Sequence, residues 1–151
     1  MYNIPVKILR LNDAAKIPTY QTDGSAACDL SACLDEPVTL LPGQSALIPT
    51  GIAIAPDTNA GPVAVLLYAR SGLAIKHGIA LSNGVGVVDS DYRGEIKVGL
   101  INQSAEPYTI RHGERIAQMV FTPVLRAVFT EVRELGTTRR GAGGFGSTGT
   151  V

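Results

Sequence analysis

The 151-residue sequence has no tryptophan, and aromatic residues make up only 5% of it. Any core must therefore be built from aliphatic side chains, for which a hydrophobic content of 45% is enough in one domain of this length. The sequence also lacks a charge excess, because 13 Lys and Arg residues balance 13 Asp and Glu residues. Proteins held to nucleic acid by bulk charge usually carry a basic excess, so we expect no nucleic-acid partner.

Cysteine and histidine are scarce, with two of each. Cys28 and Cys33 are five residues apart, so in an extended strand they would point to opposite faces, and we expect no disulfide. These few residues do not make a zinc site, and the phosphate-loop pattern Gly-x-x-x-x-Gly-Lys-Ser/Thr is absent. Two unpaired thiols suit a reducing compartment.

Long apolar runs suited to a membrane are also missing. Residues 37–56 carry no charge, but four prolines interrupt them, which argues against a spanning helix. Residues 1–10 have no long apolar run behind a basic start, so they do not resemble a secretion signal. We therefore expect a cytoplasmic protein with no membrane partner.

Short apolar runs predict strands through most of the chain. Apolar residues alternate with others in residues 4–8, 52–54 and 96–98, and in a longer segment, 124–132. Residues 63–68 are apolar on both faces, as expected of a strand buried between two sheets. Turn residues separate these runs, which favours an all-β sandwich, jelly roll or barrel.

One short helix and a glycine-rich tail depart from this pattern. Ser71 could cap a helix that Gly78 ends in a left-handed conformation. The tail has five glycines between residues 139 and 150 and no apolar periodicity. We predict one domain over residues 1–138 and a flexible arm over residues 139–151.

The arm carries side chains that a plain linker does not need. Arg140 offers a planar fork for phosphate oxygens, and Ser147 and Thr148 offer hydroxyl donors. Phe145 has no core to join, and its ring could stack on a base. These residues predict a lid over a nucleotide, although a glycine-rich tail is also typical of a disordered terminus.

Two internal segments could serve the same ligand. A helix beginning at Ser71 presents free N–H groups and a positive dipole end to an anion, and Arg70 adds a permanent charge. Asp89 and Asp91 are followed at once by Tyr92, so a carboxylate and a ring could form a floor for a sugar beside an activated water. A helix cap and turn aspartates explain these residues equally well without a ligand.

Five segments together resemble the five motifs of the dUTPase family. They are residues 24–30 (GSAACDL), 70–73 (RSGL), 83–95 (NGVGVVDSDYRGE), 113–118 (GERIAQ) and 140–149 (RGAGGFGSTG). Each is weak alone, but five in family order over nearly the whole chain are highly specific. The resemblance implies a distorted jelly-roll or β-clip barrel subunit of a homotrimer, in which each arm closes over a neighbouring active site.

The resemblance also implies a reaction, the hydrolysis of dUTP to dUMP and pyrophosphate, which lowers dUTP and supplies dUMP for thymidylate synthesis. Asp89 would orient the water that attacks the α-phosphorus and accept its proton. Mg²⁺ would bridge the phosphates, with Asp29 contacting it through water. The implied substrate-binding residues are Arg70, Ser71, Gly72 and Gln118 for the phosphates; Asn83, Gly86, Val87, Val88 and Lys97 for uracil; Tyr92 for the deoxyribose; and Arg140, Phe145, Gly146, Ser147 and Thr148 for closure of the arm.

The match to the family is not complete, and two rival interpretations remain. Cys28 stands where a bulky aromatic residue is common, and Ala69 where proline is common. A dCTP deaminase resembles this family in fold, but its catalytic glutamate aligns with Gly99 here. A non-catalytic jelly roll that binds nucleotides is compatible with the strand pattern.

Overall fold

The computed structural model describes residues 3–59 and 61–144. Within them the chain forms eleven strands and one helix. In chain order these are β1 (Val6–Arg10), β2 (Cys28–Ser31), β3 (Val38–Leu40), β4 (Ser45–Pro49), β5 (Ile52–Pro56), β6 (Val63–Ala69), α1 (Ser71–His77), β7 (Ile79–Leu81), β8 (Gly86–Val88), β9 (Lys97–Asn102), β10 (Tyr108–Ile110) and β11 (Arg115–Pro123).

The strands pair in antiparallel fashion in four sheets, which confirms the predicted all-β class. The largest sheet has the order β2-β11-β6-β8, and a second has the order β4-β9-β7. Two ladders, β1-β5 and β10-β3, complete the set. Among the described residues these sheets do not close into one barrel, so the fold is jelly-roll-like without full closure.

The core is aliphatic, as the lack of aromatic residues predicts. Leu30, Ile52, Val65 and Leu100 lie at its centre with almost no exposed surface, and each comes from a different strand. Cys28 and Cys33 are both free and buried, so the expected absence of a disulfide is confirmed. Burial raises the pKa of both thiols, which keeps them neutral packing groups.

The prediction of a strand over residues 124–132 is wrong. The last strand ends at Pro123, which pairs with Val63 at the very start of β6. Beyond that point the neighbouring strand has run out, so the alternating residues find no ladder to join. Leu125, Val128 and Phe129 are therefore left 93% to 101% exposed in a single copy of the chain. The prediction for residues 63–68 is only partly right, since Val65 is buried whereas Tyr68 is exposed.

The helix lies where the sequence predicts it, with one correction at its start. Arg70 is the N-cap residue in extended conformation, and no side chain makes a capping hydrogen bond. Ser71 is already the first helical residue, so its hydroxyl does not cap. Gly78 ends the helix with φ 65°, the left-handed conformation that favours glycine. No helix in the described part of the chain is both long enough and apolar enough to cross a membrane.

Candidate functional site

A buried carboxylate joins three separate segments of the chain. Asp29 on β2 is only 5% exposed. Its Oδ1 accepts a hydrogen bond from Arg70 Nε at 3.1 Å, and its Oδ2 accepts one from Arg115 Nη1 at 2.9 Å. Arg70 Nη1 also donates to the Arg115 carbonyl at 3.0 Å. Two guanidinium groups share one carboxylate, so the cluster keeps a net positive charge, and both arginines are partly exposed.

The large sheet explains why these residues meet. Gln118 on β11 lies opposite Asp29 on β2 and opposite Tyr68 on β6. Residues directly opposite one another share a face of a sheet, so Gln118 is on the face that carries the Asp29 carboxylate. Ala69 is the last residue of β6 and follows Tyr68 directly, so Arg70 lies next to the cluster. The helix begins immediately after Arg70.

The start of the helix is open. Ser71 and Gly72 are exposed, and a Cβ added at Gly72 would meet no atom within 4 Å. Among the described residues, no positive φ or close contact requires a glycine there, and glycine weakens a helix. The open space above Gly72 leaves room for a ligand to approach the backbone at the helix start.

A polar cleft of about 670 Å³ lies beside the carboxylate cluster. Its basic residues are Arg10, Lys16 and Arg115, and its acidic residues are Asp29 and Glu114. Arg115 pairs with Asp29 through Nη1. Its other guanidinium N–H groups can therefore bind an anion in the cleft while the ion pair with Asp29 stays intact.

A half-buried tyrosine, Tyr108, stabilises the turn before β11. The Tyr108 hydroxyl donates a short hydrogen bond to Glu114 Oε1, and the Arg111 N–H donates to Glu114 Oε2 at 3.0 Å. The His77 ring packs against Tyr108 with centroids 4.9 Å apart, which ties this turn to α1. Burial, followed by the hydrogen bond to Glu114, raises the pKa of Tyr108 to about 12, so at neutral pH the hydroxyl is protonated and donates.

A second, smaller pocket of about 280 Å³ contains the predicted catalytic acid. Five predicted site residues line it, namely Val87, Val88, Asp89, Tyr92 and Lys97. β8 is the edge strand of its sheet and pairs only with β6 among the described strands. One side of its backbone is therefore free of a ladder, and edge N–H and C=O groups of this kind can pair with a ligand. Asp89 follows β8 directly and is exposed.

A single chain does not bring Asp89 to the Asp29 cluster. Val88 lies opposite Val65 in the β6–β8 ladder, so Asp89 is near the beginning of β6. Arg70 follows the end of β6, five residues beyond Val65, which is about 17 Å along a strand. The structure thus places two partial sites at opposite ends of one strand.

The remaining predicted residues have different surroundings. Asn83 is exposed in the turn after β7, and Gly86 is buried, with a Cβ there falling 3.0 Å from Leu67 Cβ. This connection is not a paired hairpin, because β7 pairs with β9 whereas β8 pairs with β6. The turn therefore crosses between two sheets.

The arm contributes little to the described structure. Arg140 is exposed, and its Nε donates to the Gly143 carbonyl at 2.9 Å within a local turn. It lines neither of the two pockets. The predictions for Phe145, Gly146, Ser147 and Thr148 lie outside the described residues.

Sequence analysis missed several residues that the fold brings to these sites. Arg115 belongs to a recognised segment, but its pairing with Asp29 spans 86 positions and has no local pattern. Leu47 and Ile96 line the smaller pocket, yet in sequence they look like ordinary strand residues. Glu95 could have been suspected, because it closes the segment that carries Asp89 and Tyr92.

Taken together, these features define an all-β protein of the jelly-roll class with a basic cluster and a separate acidic pocket on an edge strand. The family model described as dUTPase matches residues 13–149. The chain therefore belongs to the dUTPase family.

Full-length relatives agree with this assignment. The chain is 54% identical over 151 residues to the deoxyuridine 5'-triphosphate nucleotidohydrolase of Desulfitobacterium hafniense, with 99% of each chain covered. It is 53% identical over 147 residues to the protein of the same name from Neisseria meningitidis serogroup B, covering 97% of this chain and 96% of that one.

Solved structures share the fold. The dUTPase of Staphylococcus bacteriophage 80alpha with dUPNHPP has a TM-score of 0.85 at 25% identity, covering 96% of this chain and 98% of that one. A mutant dUTPase from phage phi11 of S. aureus, whose structure describes the coordination of a structural Mg(II) ion, has a TM-score of 0.78 at 21% identity. That alignment covers 88% of this chain and 99% of the phage chain.

Proposed function

We propose that the chain is an enzyme that hydrolyses dUTP to dUMP and pyrophosphate in an active site built from more than one copy. The observation that carries this proposal is the placement of Asp89 and Arg70 at opposite ends of β6. About 17 Å of strand separates these positions, too far for both side chains of one chain to serve the same phosphate. We take the substrate from the names of the bacterial relatives. The residues of the two partial sites support the proposed reaction.

A homotrimer is the assembly that we propose. The segment after Pro123 exposes large apolar side chains over residues 124–135, and such a patch marks an interaction surface. In an assembly this segment would be covered by a neighbouring copy. The residues that follow would then lie over the neighbour's site, as expected of an arm over residues 139–151 that closes on substrate.

In the proposed mechanism, Asp89 orients a water molecule towards the α-phosphorus and accepts its proton. The carboxylate is exposed in the smaller pocket, so water can reach it freely. The unpaired edge of β8 hydrogen-bonds the uracil, with Val87 and Val88 against the base. Tyr92 lies below the deoxyribose, where a 2′-hydroxyl would collide with its ring.

The phosphates bind to the cluster of the facing copy. Arg70 is held in place by Asp29, which fixes the direction of its remaining N–H groups. The Ser71 hydroxyl makes no capping hydrogen bond, so it can donate to a phosphate oxygen. Gln118 contributes an amide from the same face of the sheet, and Arg140, Phe145, Gly146, Ser147 and Thr148 close from the arm.

The donor set fits a metal ion that is held mainly by the substrate. The described residues contain no group of three or more His, Cys, Asp or Glu side chains able to hold a metal ion. Asp29 already accepts from two guanidinium groups, but a carboxylate has about four acceptor sites and can also accept from a metal-bound water. When bound, Mg²⁺ would neutralise phosphate charge.

We also propose that the protein is located in the cytoplasm.

The proposed activity is tested by measuring pyrophosphate release from dUTP, UTP, dCTP and dTTP, with Mg²⁺ and with a chelator. We expect release from dUTP alone, and only with Mg²⁺. Ammonia release from dCTP would instead support a deaminase. The sequence argues against that reaction, because Gly99 stands where the deaminase has its catalytic glutamate and offers no acid. Binding of dUTP without turnover would support a non-catalytic protein.

Gly72→Ala should separate stability from substrate binding. The added methyl meets no atom of the chain, so we expect the helix to gain about 0.5–1 kcal/mol. The same methyl would stand between the helix start and a phosphate, so KM for dUTP should rise about tenfold, which is about 1.4 kcal/mol. Thermal unfolding and steady-state kinetics measure the two effects. An unchanged KM would show that no ligand approaches Gly72.

A further inference from the structure

We infer that Glu95 and Gly94 are positioning residues that hold the Tyr92 ring, and through it set the preference for deoxyribose over ribose. This inference rests on the proposed function and adds to it, because neither residue was assigned a role by the motifs. It starts from a set of contacts around the loop between β8 and β9.

The tyrosine is held through its hydroxyl. Tyr92 Oη donates to the Glu95 carbonyl at 3.1 Å, and the Tyr92 N–H donates to the Asp89 carbonyl at 3.1 Å. Tyr92 is thus held by the same loop at its backbone N–H and at its ring hydroxyl. The position of the Glu95 backbone therefore decides where the ring stands.

The Glu95 side chain fixes that backbone to a different part of the fold. Glu95 Oε1 accepts from the Gly51 N–H at 2.9 Å, in the turn between β4 and β5. Its Oε2 forms an ion pair with Lys97 Nζ at 3.4 Å. Both carboxylate oxygens are occupied by the protein, so the side chain acts as a tether between the loop and the β4–β5 turn.

The turn at the far end of this tether is closely packed. Gly51 has φ 69°, and a Cβ there would fall 2.8 Å from Ala15 Cβ and 2.9 Å from Cys33 Sγ. The buried Thr50 hydroxyl next to it donates to the Ile96 carbonyl at 2.6 Å. The tether therefore anchors Tyr92 to a closely packed part of the fold.

Gly94 leaves the space that the ring needs. A Cβ built there would lie 2.5 Å from Tyr92 Cζ and 3.0 Å from Cε2, closer than real carbon atoms approach. The φ of Gly94 lies outside the left-handed region, so the backbone would accept alanine. An alanine would consequently push the ring without straining the loop, which provides a second way to move Tyr92.

The test compares hydrolysis of dUTP and UTP by Glu95→Ala, Glu95→Gln and Gly94→Ala. In Glu95→Ala and Gly94→Ala, we expect the ratio of kcat/KM for dUTP to that for UTP to fall about tenfold, because the ring no longer fills its place. Glu95→Gln keeps an oxygen for the Gly51 N–H and should stay within about threefold of the native ratio. Simple loss of folded protein would lower both rates equally and leave the ratio unchanged.

A matched control and a structural readout complete the experiment. Glu36→Ala removes an exposed carboxylate that lines neither pocket, so it should keep the native ratio. The NMR resonances of the Tyr92 ring, identified by their loss in Tyr92→Phe, should shift in Glu95→Ala and Gly94→Ala.

The outcomes separate the two proposals. If the native chain cleaves dUTP while the ratio and the ring resonances stay native in Glu95→Ala and Gly94→Ala, the positioning role is overturned and the proposed function stands. If the native chain releases no pyrophosphate from dUTP, the proposed function is overturned along with the sugar preference built on it.

Discussion

Replacing Asp89 by asparagine should lower kcat for dUTP hydrolysis about a thousandfold and leave substrate affinity close to native. Asparagine has the same shape, so the pocket and its contacts with uracil should survive. It cannot accept a proton from the attacking water, and a positioned base contributes about 10²- to 10⁴-fold to such a step. Pyrophosphate release measures kcat, and calorimetry with a non-hydrolysable dUTP analogue measures affinity.

Asp91 provides the matched control for this variant. It is an exposed carboxylate two residues away, and it does not line the smaller pocket. Asp91→Asn should therefore keep native turnover. A kcat within about threefold of native in Asp89→Asn would remove Asp89 from the role of base.

Deleting every residue after Arg139 should leave the fold intact and lower kcat/KM about a hundredfold. Arg140 is exposed, and its Nε hydrogen bond stays within its own turn, so the described part of the arm makes no contact that the core needs. The reaction would lose the groups that close over the phosphates and base, and poor closure costs about this much in rate. Thermal unfolding and steady-state kinetics on the shortened chain test both parts.

A second variant distinguishes the chemistry of the arm from its length. Replacing residues 140–151 by a Gly-Ser sequence of equal length keeps a mobile tail but removes the arginine, the ring and the threonines. We expect it to be as weak as the deletion. Native activity in either variant would show that the last residues are only a tail.

Local features of the fold follow from local sequence. The left-handed end of α1 at Gly78 and the existence of β1 and β5, though not their bounds, can be predicted because conformational preference and apolar alternation act over a few residues. The aliphatic core follows from composition alone. Even so, the placement of the N-cap at Arg70 instead of Ser71 shows that boundaries shift by one residue when no capping bond decides them.

The site could be predicted only in parts. Motif order named Asp29 and Arg70, but their contact spans 41 positions and depends on the register of β2, β11 and β6. The sequence of residues 124–132 has a strand pattern, yet none of these residues pairs with a strand in the described part of the chain. A sequence pattern predicts the secondary structure that a segment can form, whereas the tertiary fold decides which other segments it contacts.

The uncovered segment after β11 has a consequence for an unassembled copy. Leu125, Val128 and Phe129 present apolar surface to water, while the whole chain carries a formal net charge of zero and a calculated isoelectric point near 6.7. At neutral pH, lone copies would have almost no electrostatic repulsion to keep them in colloidal suspension. Ordered assembly would then compete with precipitation for the same apolar surface. A high local concentration of identical chains should therefore favour assembly and protect newly made chains from precipitation.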